Sequence, residues 1–202
     1  MPCQTHRSEE MIEPVVLVHG GAGDIPEWRV PLKLDGVKHA VKSGYACLTS
    51  GGSVLDAVEA AVKVMEDNEA FNAGRGSVLT IEGTIEMDAI IMDGSTLKLG
   101  AVAGVNNISH PISLARLVMQ DTPHIFLAGN GANHFAKSKG VPYVPDEELI
   151  TDYARQALDD FIHGRGDATS ELGKEVKYGT VGAVAVDRFG KVACATSTGD
   201  VS

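Results

Sequence analysis

Hydrophobic and polar positions follow two different periods along this chain. Val15-Val16-Leu17-Val18 is a short apolar, β-branched run ending in His19-Gly20-Gly21-Ala22-Gly23, which predicts a buried strand entering a glycine loop. Leu34, Val37, Ala40, Val41, Tyr45 and Leu48 then recur at helical spacing. They predict one apolar face on a helix from about Leu32 to Thr49, closed by Gly51-Gly52. Ser53 can cap a second helix, striped by Val54, Ala57, Val58, Ala61, Val62 and Met65 and stopping near Asn68.

The period then changes to that of strands. Ser77 to Ile81, Thr84 to Met92 and Leu97 to Val105 are β-rich segments separated by Glu82-Gly83 and Asp93-Gly94-Ser95, which predicts an antiparallel meander. Pro111 opens a helix whose period runs from Ile112 to Met119, Ile125 to Ala128 is strand-like, and Ala132 to Ser138 is a short helix. Residues 146–178 are rich in charge and predict an exposed helix followed by a linker at about 164–178. Val181 to Val186 and Val192 to Thr198 pair across Asp187-Arg188-Phe189-Gly190, a hairpin with Thr180 at its start. This mixed order favours an α+β fold, with helices layered on an antiparallel sheet, over a βαβ arrangement.

Composition narrows the partners. The 202 residues fit one domain, and 44% hydrophobic with 22% charged residues is ordinary for a globular protein. A formal net charge of −10 opposes nucleic acid, whose phosphates need Lys and Arg to replace counterions. No apolar run approaches the ~20 residues of a membrane span, and the start Met1-Pro2-Cys3-Gln4-Thr5-His6-Arg7 lacks the apolar core of a secretory signal. A cytoplasmic location without membrane attachment is therefore expected. Cys3, Cys47 and Cys194 lack metal-ligand spacing and read as free thiols, and no metal ligand set is predicted.

The candidate chemistry centres on Gly179-Thr180. A threonine entering a strand after a glycine suits an enzyme that breaks the bond before its nucleophile and then uses the freed amine as base. Gly179 tolerates the strained backbone that exposes its carbonyl, and the partner strand Thr196-Ser197-Thr198 is rich in hydroxyls. The loop His19-Gly20-Gly21 reads equally as a turn or as a catalytic loop, but it is not a dinucleotide fingerprint, since Pro26 stands where the third glycine belongs. Asn72, in Phe71-Asn72-Ala73-Gly74-Arg75-Gly76, either caps a turn or donates its amide to a developing oxyanion. Asp88 reads as hydrogen-bonded strand structure, not as a general base.

Taken in order, Val18-His19-Gly20-Gly21-Ala22-Gly23, Ser50-Gly51-Gly52-Ser53-Val54-Leu55-Asp56-Ala57-Val58, Phe71-Asn72-Ala73-Gly74-Arg75-Gly76-Ser77, Met87-Asp88-Ala89 with Ile91-Met92-Asp93-Gly94, Gly100-Ala101-Val102 and Gly179-Thr180-Val181-Gly182-Ala183-Val184-Ala185 resemble the plant-type asparaginase and isoaspartyl peptidase family. The resemblance implies an N-terminal nucleophile hydrolase with an αββα sandwich, made as a precursor that cuts itself into an α and a β chain. Thr180 would be the nucleophile and new N-terminus, Gly179 would supply the scissile carbonyl, and Thr198 would support the nucleophile. Asn72 would help stabilise an oxyanion, and His19, Gly20 and Gly21 would belong to the loop coupled to self-cleavage. The resemblance also implies a structural sodium held by carbonyls around Glu66 to Arg75, no other cofactor, and a dimer of αβ units. The glycine before Thr180 is similar to the asparaginase branch, where glycosylasparaginases and taspases usually show aspartate.

The domain expected on this basis is 14–202, with an α-chain part 14–179 and a β-chain part 180–202 that lacks most of its usual length. Family members usually continue after Gly199 with a second glycine and the residues that grip the substrate, whereas Asp200-Val201-Ser202 follows here. The substrate-binding residues are thus expected beyond Ser202, and the sandwich is expected to be incomplete. Two functions follow. One is a self-cleaving threonine hydrolase that releases L-aspartate from the small molecules asparagine and β-aspartyl dipeptides. The other is a non-catalytic chain that acts by binding other subunits.

Overall fold

The computed structural model describes residues 11–22, 25–165 and 179–200. Gly23, Cys3 and the expected linker beyond Arg165 lie outside the described residues. Six strands form one sheet in the order β1-β5-β6-β2-β3-β4. They are β1 (Val15–His19), β2 (Met87–Asp93), β3 (Leu99–Val105), β4 (Phe126–Ala128), β5 (Val181–Val186) and β6 (Val192–Gly199). The helices are α1 (Val30–Thr49), α2 (Val54–Glu66), α3 (Pro111–Asp121), α4 (Gly129–Ser138), α5 (Asp146–Leu149) and α6 (Asp152–Ile162). No helix among the described residues is long and apolar enough to cross a membrane.

The fold is α+β, and the described residues supply one sheet of the expected sandwich with its helices. Neighbouring strands pair antiparallel except β3 and β4, which run parallel because α3 carries the chain back between them. The β5–β6 hairpin, late in the sequence, sits between β1 and β2. His19 therefore pairs with Gly182, and Asp88 with Thr198. This insertion brings the glycine loop to the strand that follows Thr180.

Strand alternation gives the sheet two unlike faces. Met87, Ala89, Ile91, Val102, Val181, Ala183, Ala193, Ala195 and Ser197 are buried on the face against which α2 and α3 pack. Val15, Leu17, Ile90, Val184 and Val192 are exposed on the other. Helix α2 follows its predicted stripe, with Val54, Ala57, Val58, Ala61, Val62 and Met65 all buried. Ser53 accepts the Asp56 backbone N–H at 3.2 Å while the Asp56 carboxylate accepts the Ser53 backbone N–H at 2.9 Å.

Three expectations need correction. In α1 the buried residues are Lys33, Gly36, Ala40, Gly44 and Leu48, whereas Leu34 and Tyr45 are exposed. The helix approaches α2 so closely that a Cβ on Gly44 would stand 2.9 Å from the Ala57 carbonyl oxygen, so the buried face keeps Ala40 and Leu48 of the predicted stripe but is otherwise set by close contact at Gly36 and Gly44. Residues 77–81 form no strand. The Thr84 carbonyl accepts the Thr80 N–H and the Thr80 carbonyl the Gly83 N–H, each at 2.9 Å, closing a turn on itself. Strand β2 thus begins at Met87, and β6 takes the place beside it where the meander strand was expected. Helix α4 starts at Gly129, earlier than Ala132.

Candidate active site

Thr180 lies immediately before β5, and Thr198 lies near the end of β6 with its side chain on the outer face. Thr180 Oγ1 donates to Thr198 Oγ1 at 3.3 Å. The single Thr198 hydroxyl proton has two acceptors within reach, the Gly199 carbonyl at 3.1 Å and the Gly179 carbonyl at 3.5 Å. Thr198 therefore bridges the hydroxyl of Thr180 and the carbonyl of the bond before it.

The Gly179–Thr180 bond is held from two sides. A Cβ built on Gly21, whose φ is +112°, would stand 3.2 Å from Gly179 Cα and 3.6 Å from Thr180 N, so the glycine loop lies directly against this bond. Only glycine adopts that backbone without strain. Across from it, a Cβ on Gly179 would stand 3.4 Å from Asn72 Cβ. The His19 ring is pressed over Gly182, and the Phe71 ring fills the space beside Gly20, so both ends of the loop are fixed by packing.

Asn72 is both a turn cap and a site residue. Its Oδ1 accepts the Val78 N–H at 2.9 Å, while its Nδ2 donates to the Gly199 carbonyl at 3.2 Å and to Thr198 Oγ1 at 3.5 Å. The Gly199 N–H returns a bond to the Asn72 carbonyl at 3.2 Å, so loop and strand are laced together. The amide is aimed at the Thr198 corner and makes no bond to the Gly179 carbonyl in this state. Asp88, the register partner of Thr198, accepts the Gly104 N–H at 2.8 Å, and burial raises its pKa against that bond. It behaves as the strand residue it was read to be.

One residue of this region was not singled out from the sequence. Glu66 is fully buried at the end of α2, where its Oε1 accepts the Ser197 hydroxyl at 2.7 Å and the Ile112 N–H at 3.0 Å. Burial pushes its pKa up to about 8, against the two hydrogen bonds that favour the charged form. The available signal was positional: Glu66 extends the apolar stripe Val58, Val62 by one further turn.

The loop after Glu66 turns carbonyl oxygens inward. A Cβ on Gly76 would stand 2.9 Å from the carbonyl oxygens of both Glu69 and Phe71, and Arg29 donates to the carbonyls of Glu69 and Ala70 at 3.3 and 2.9 Å. Neutral carbonyl oxygens are the donors that a hard cation takes, and two of them, those of Glu69 and Ala70, already hold the Arg29 guanidinium. Among the described residues no group of three or more His, Cys, Asp or Glu side chains could hold a metal ion.

The family model described as "Asparaginase" matches residues 12–202. The chain belongs to the asparaginase family. Among curated members, an isoaspartyl peptidase/L-asparaginase from Danio rerio is 55% identical over 92% of this chain and 59% of its own length. The Homo sapiens protein of the same description is 49% identical over 94% and 61% of the two chains. A plant-type L-asparaginase from Pyrococcus abyssi is 48% identical over 92% and 63%. The chain thus spans about three fifths of the length of these asparaginase relatives.

Proposed function

We propose that this chain carries the nucleophile of a threonine hydrolase that cuts its own Gly179–Thr180 bond, the family reaction being release of L-aspartate from asparagine and β-aspartyl dipeptides. The observation that carries this reading is the 3.3 Å contact between Thr180 Oγ1 and Thr198 Oγ1, with the Thr198 hydroxyl also in reach of the Gly179 carbonyl. The names of the relatives support the substrate class.

In the self-cleavage step Thr180 Oγ1 attacks the Gly179 carbonyl carbon, the peptide C–N bond breaks, and the acyl group passes to Oγ1 as an ester. The departing amine takes the hydroxyl proton. Water then splits the ester, leaving a carboxylate on Gly179 and a free α-amine on Thr180. That amine, with an ordinary pKa of ~7.7 to 8.0, accepts the hydroxyl proton when Thr180 attacks the side-chain amide of a substrate. The amine passes that proton to the leaving ammonia or dipeptide amine as the amide C–N bond breaks, and water then splits the acyl-enzyme ester to release aspartate and free Thr180. In both steps Thr198 orients the nucleophile, and Asn72 is the amide placed to turn toward a developing oxyanion. His19, Gly20 and Gly21 hold the scissile bond in line.

No residue of 14–202 is assigned to grip the substrate. A structural sodium on the carbonyls around Glu66 to Arg75 would add fixed positive charge to the loop that carries Asn72 and take no part in the chemistry. The unpaired thiols of Cys47 and Cys194 fit a reducing cytoplasm, and pairing of two αβ units is the assembly this reading implies.

The test is expression of residues 1–202 beside a Thr180→Ala control, read by denaturing gel and intact mass. Cutting before Thr180 in the unmutated chain alone is the expected result. A stable uncut band in both, with no aspartate released from a β-aspartyl dipeptide, would sink the hydrolase and leave a chain that acts by binding other subunits.

A further inference from the structure

Glu66 stands where packing alone would place an aliphatic residue. It follows Val58 and Val62 on the stripe of α2 that faces the sheet, and all three are completely buried. Removing a carboxyl from water is unfavourable unless its hydrogen bonds are replaced, and here the replacements are specific. Oε1 takes two donors, the Ser197 hydroxyl and the Ile112 N–H, while Oε2 has no partner among the described residues. Ser197 is equally out of keeping with its strand, since the other inward residues along β6 are Ala193, Ala195 and Gly199.

We propose that Glu66 is a positioning residue for the Thr180–Thr198 centre, tying the end of β6 to the loop that carries Asn72. The proposal rests on the hydrolase reading for its functional meaning and on the following contacts for its physical content. The Glu66 side chain holds Ser197, whose next neighbour Thr198 turns to the opposite face and meets Thr180. The Glu66 backbone carbonyl accepts the Arg75 N–H at 2.7 Å and so anchors the turn after Asn72. The amide of Asn72 then reaches the Gly199 carbonyl on the same strand. One residue thereby fixes both partners of the Thr198 hydroxyl region, strand and loop, against the start of α3.

A glutamine places an acceptor oxygen in the same space, so Glu66→Gln preserves both bonds to Oε1, whereas Glu66→Leu fills the stripe and removes the acceptor. The self-cleavage rate is expected to stay within about threefold of the unmutated chain for Glu66→Gln and to fall about tenfold or more for Glu66→Leu, because Ser197 and Ile112 are left with buried unpaired donors. Ser197→Ala should slow cleavage as well, and adding it to Glu66→Leu should cost little more, since the two act through one bond.

A second measurement is independent of turnover. In a Thr180→Ala background, amide hydrogen exchange at Ser197, Thr198, Gly199 and Ile112 should quicken about tenfold in Glu66→Leu relative to Glu66→Gln, with the rest of α2 unchanged. If these amides exchange alike in a folded Glu66→Leu chain, or if Glu66→Gln loosens them as much as Glu66→Leu, the positioning role is wrong even where the chain cuts itself. If the amides loosen as expected but the unmutated chain never cuts, the positioning stands and the hydrolase reading falls.

Discussion

The two faces of the sheet are built by one alternation and come to opposite ends. Inward residues of β2, β5 and β6 are small or medium apolar groups locked under α2 and α3, while their immediate neighbours point outward to an open apolar surface formed by Leu17, Ile90, Val184 and Val192. The open face is not uniform. The rows through Val15 and Leu17 are aliphatic, and those toward the glycine loop carry Thr196, Thr198 and Asp88. On β6 the division passes between adjacent residues, with Ser197 inward on Glu66 and Thr198 outward on Thr180. The packed face supplies rigidity, and the open face carries the chemistry along one end.

The largest expected effect separates chemistry from stability on the open side. Thr198→Val keeps the shape of the side chain and removes the hydroxyl that links Thr180 to the Gly179 carbonyl. Self-cleavage should slow about 100-fold or more, the size of effect seen when one stabilising donor is lost, while the melting temperature stays nearly constant. Rapid cutting by this variant, followed as loss of intact mass with time, would remove Thr198 from the mechanism.

A matched pair then tests the faces directly. Ile90 is 43% exposed and Ile91 is 0% exposed, one after the other on β2. Ile91→Ala should cost about 2–5 kcal/mol of unfolding free energy, from lost burial and the cavity left beneath α3. Ile90→Ala should cost under about 1 kcal/mol, because its side chain is already partly in water. Equal losses in urea denaturation would mean that the outer face is covered in solution.

Between these extremes stands Gly21, on the loop where β1 leaves the sheet and meets the scissile bond. Gly21→Ala forces a Cβ at φ +112° and sets it 3.2 Å from Gly179 Cα. A strain of about 1–3 kcal/mol should appear as slower cleavage and a modestly lower melting temperature together. A change in stability without any change in cleavage would detach the loop from the reaction.

The same contrast explains what could be read from the chain. Helix α2 was legible because Ser53, Asp56 and the stripe from Val54 to Met65 agree at every level, and the β5–β6 hairpin because alternation and the Asp187 to Gly190 turn agree. The residues of the candidate site, Thr180, Thr198, Asn72 and the His19 to Gly21 loop, were nameable from short motifs, and the structure brings them together. The face of α1 was only partly legible: Ala40 and Leu48 of the predicted stripe are buried, whereas Leu34 and Tyr45 are exposed, and Gly36 and Gly44 take their places because the Phe71 ring and the Ala57 carbonyl come too close for a side chain. β-rich composition at 77–81 could not reveal that Thr80 and Thr84 bond to each other, leaving the side of β2 free for a strand more than a hundred residues later. Glu66 was hidden because a charged residue at a helix end is ordinarily solvated, so its place on the apolar stripe counted for little without the partners Ser197 and Ile112 that satisfy it there.

The smallest predicted effect concerns Asp88, the carboxyl on the outer face beside Thr198. Burial is the main cause that raises its pKa, the Gly104 N–H opposes the rise, and Asp200 adds to it. A carboxyl whose folded pKa lies above its unfolded value binds its proton more tightly in the native state. Its contribution to stability is therefore complete below the ordinary aspartate range and is lost as pH rises through the raised folded value. Asp88→Asn keeps an acceptor for Gly104 and cannot ionise, so it should remove this loss of melting temperature as pH rises from the ordinary aspartate range toward neutrality. Because the group is only partly shielded from water, the gain at neutral pH should stay within about 0.5 kcal/mol. A variant that instead loses stability near neutrality but not in acid would show that the ionised carboxylate, not the neutral acid, is the form that the Gly104 N–H holds in place.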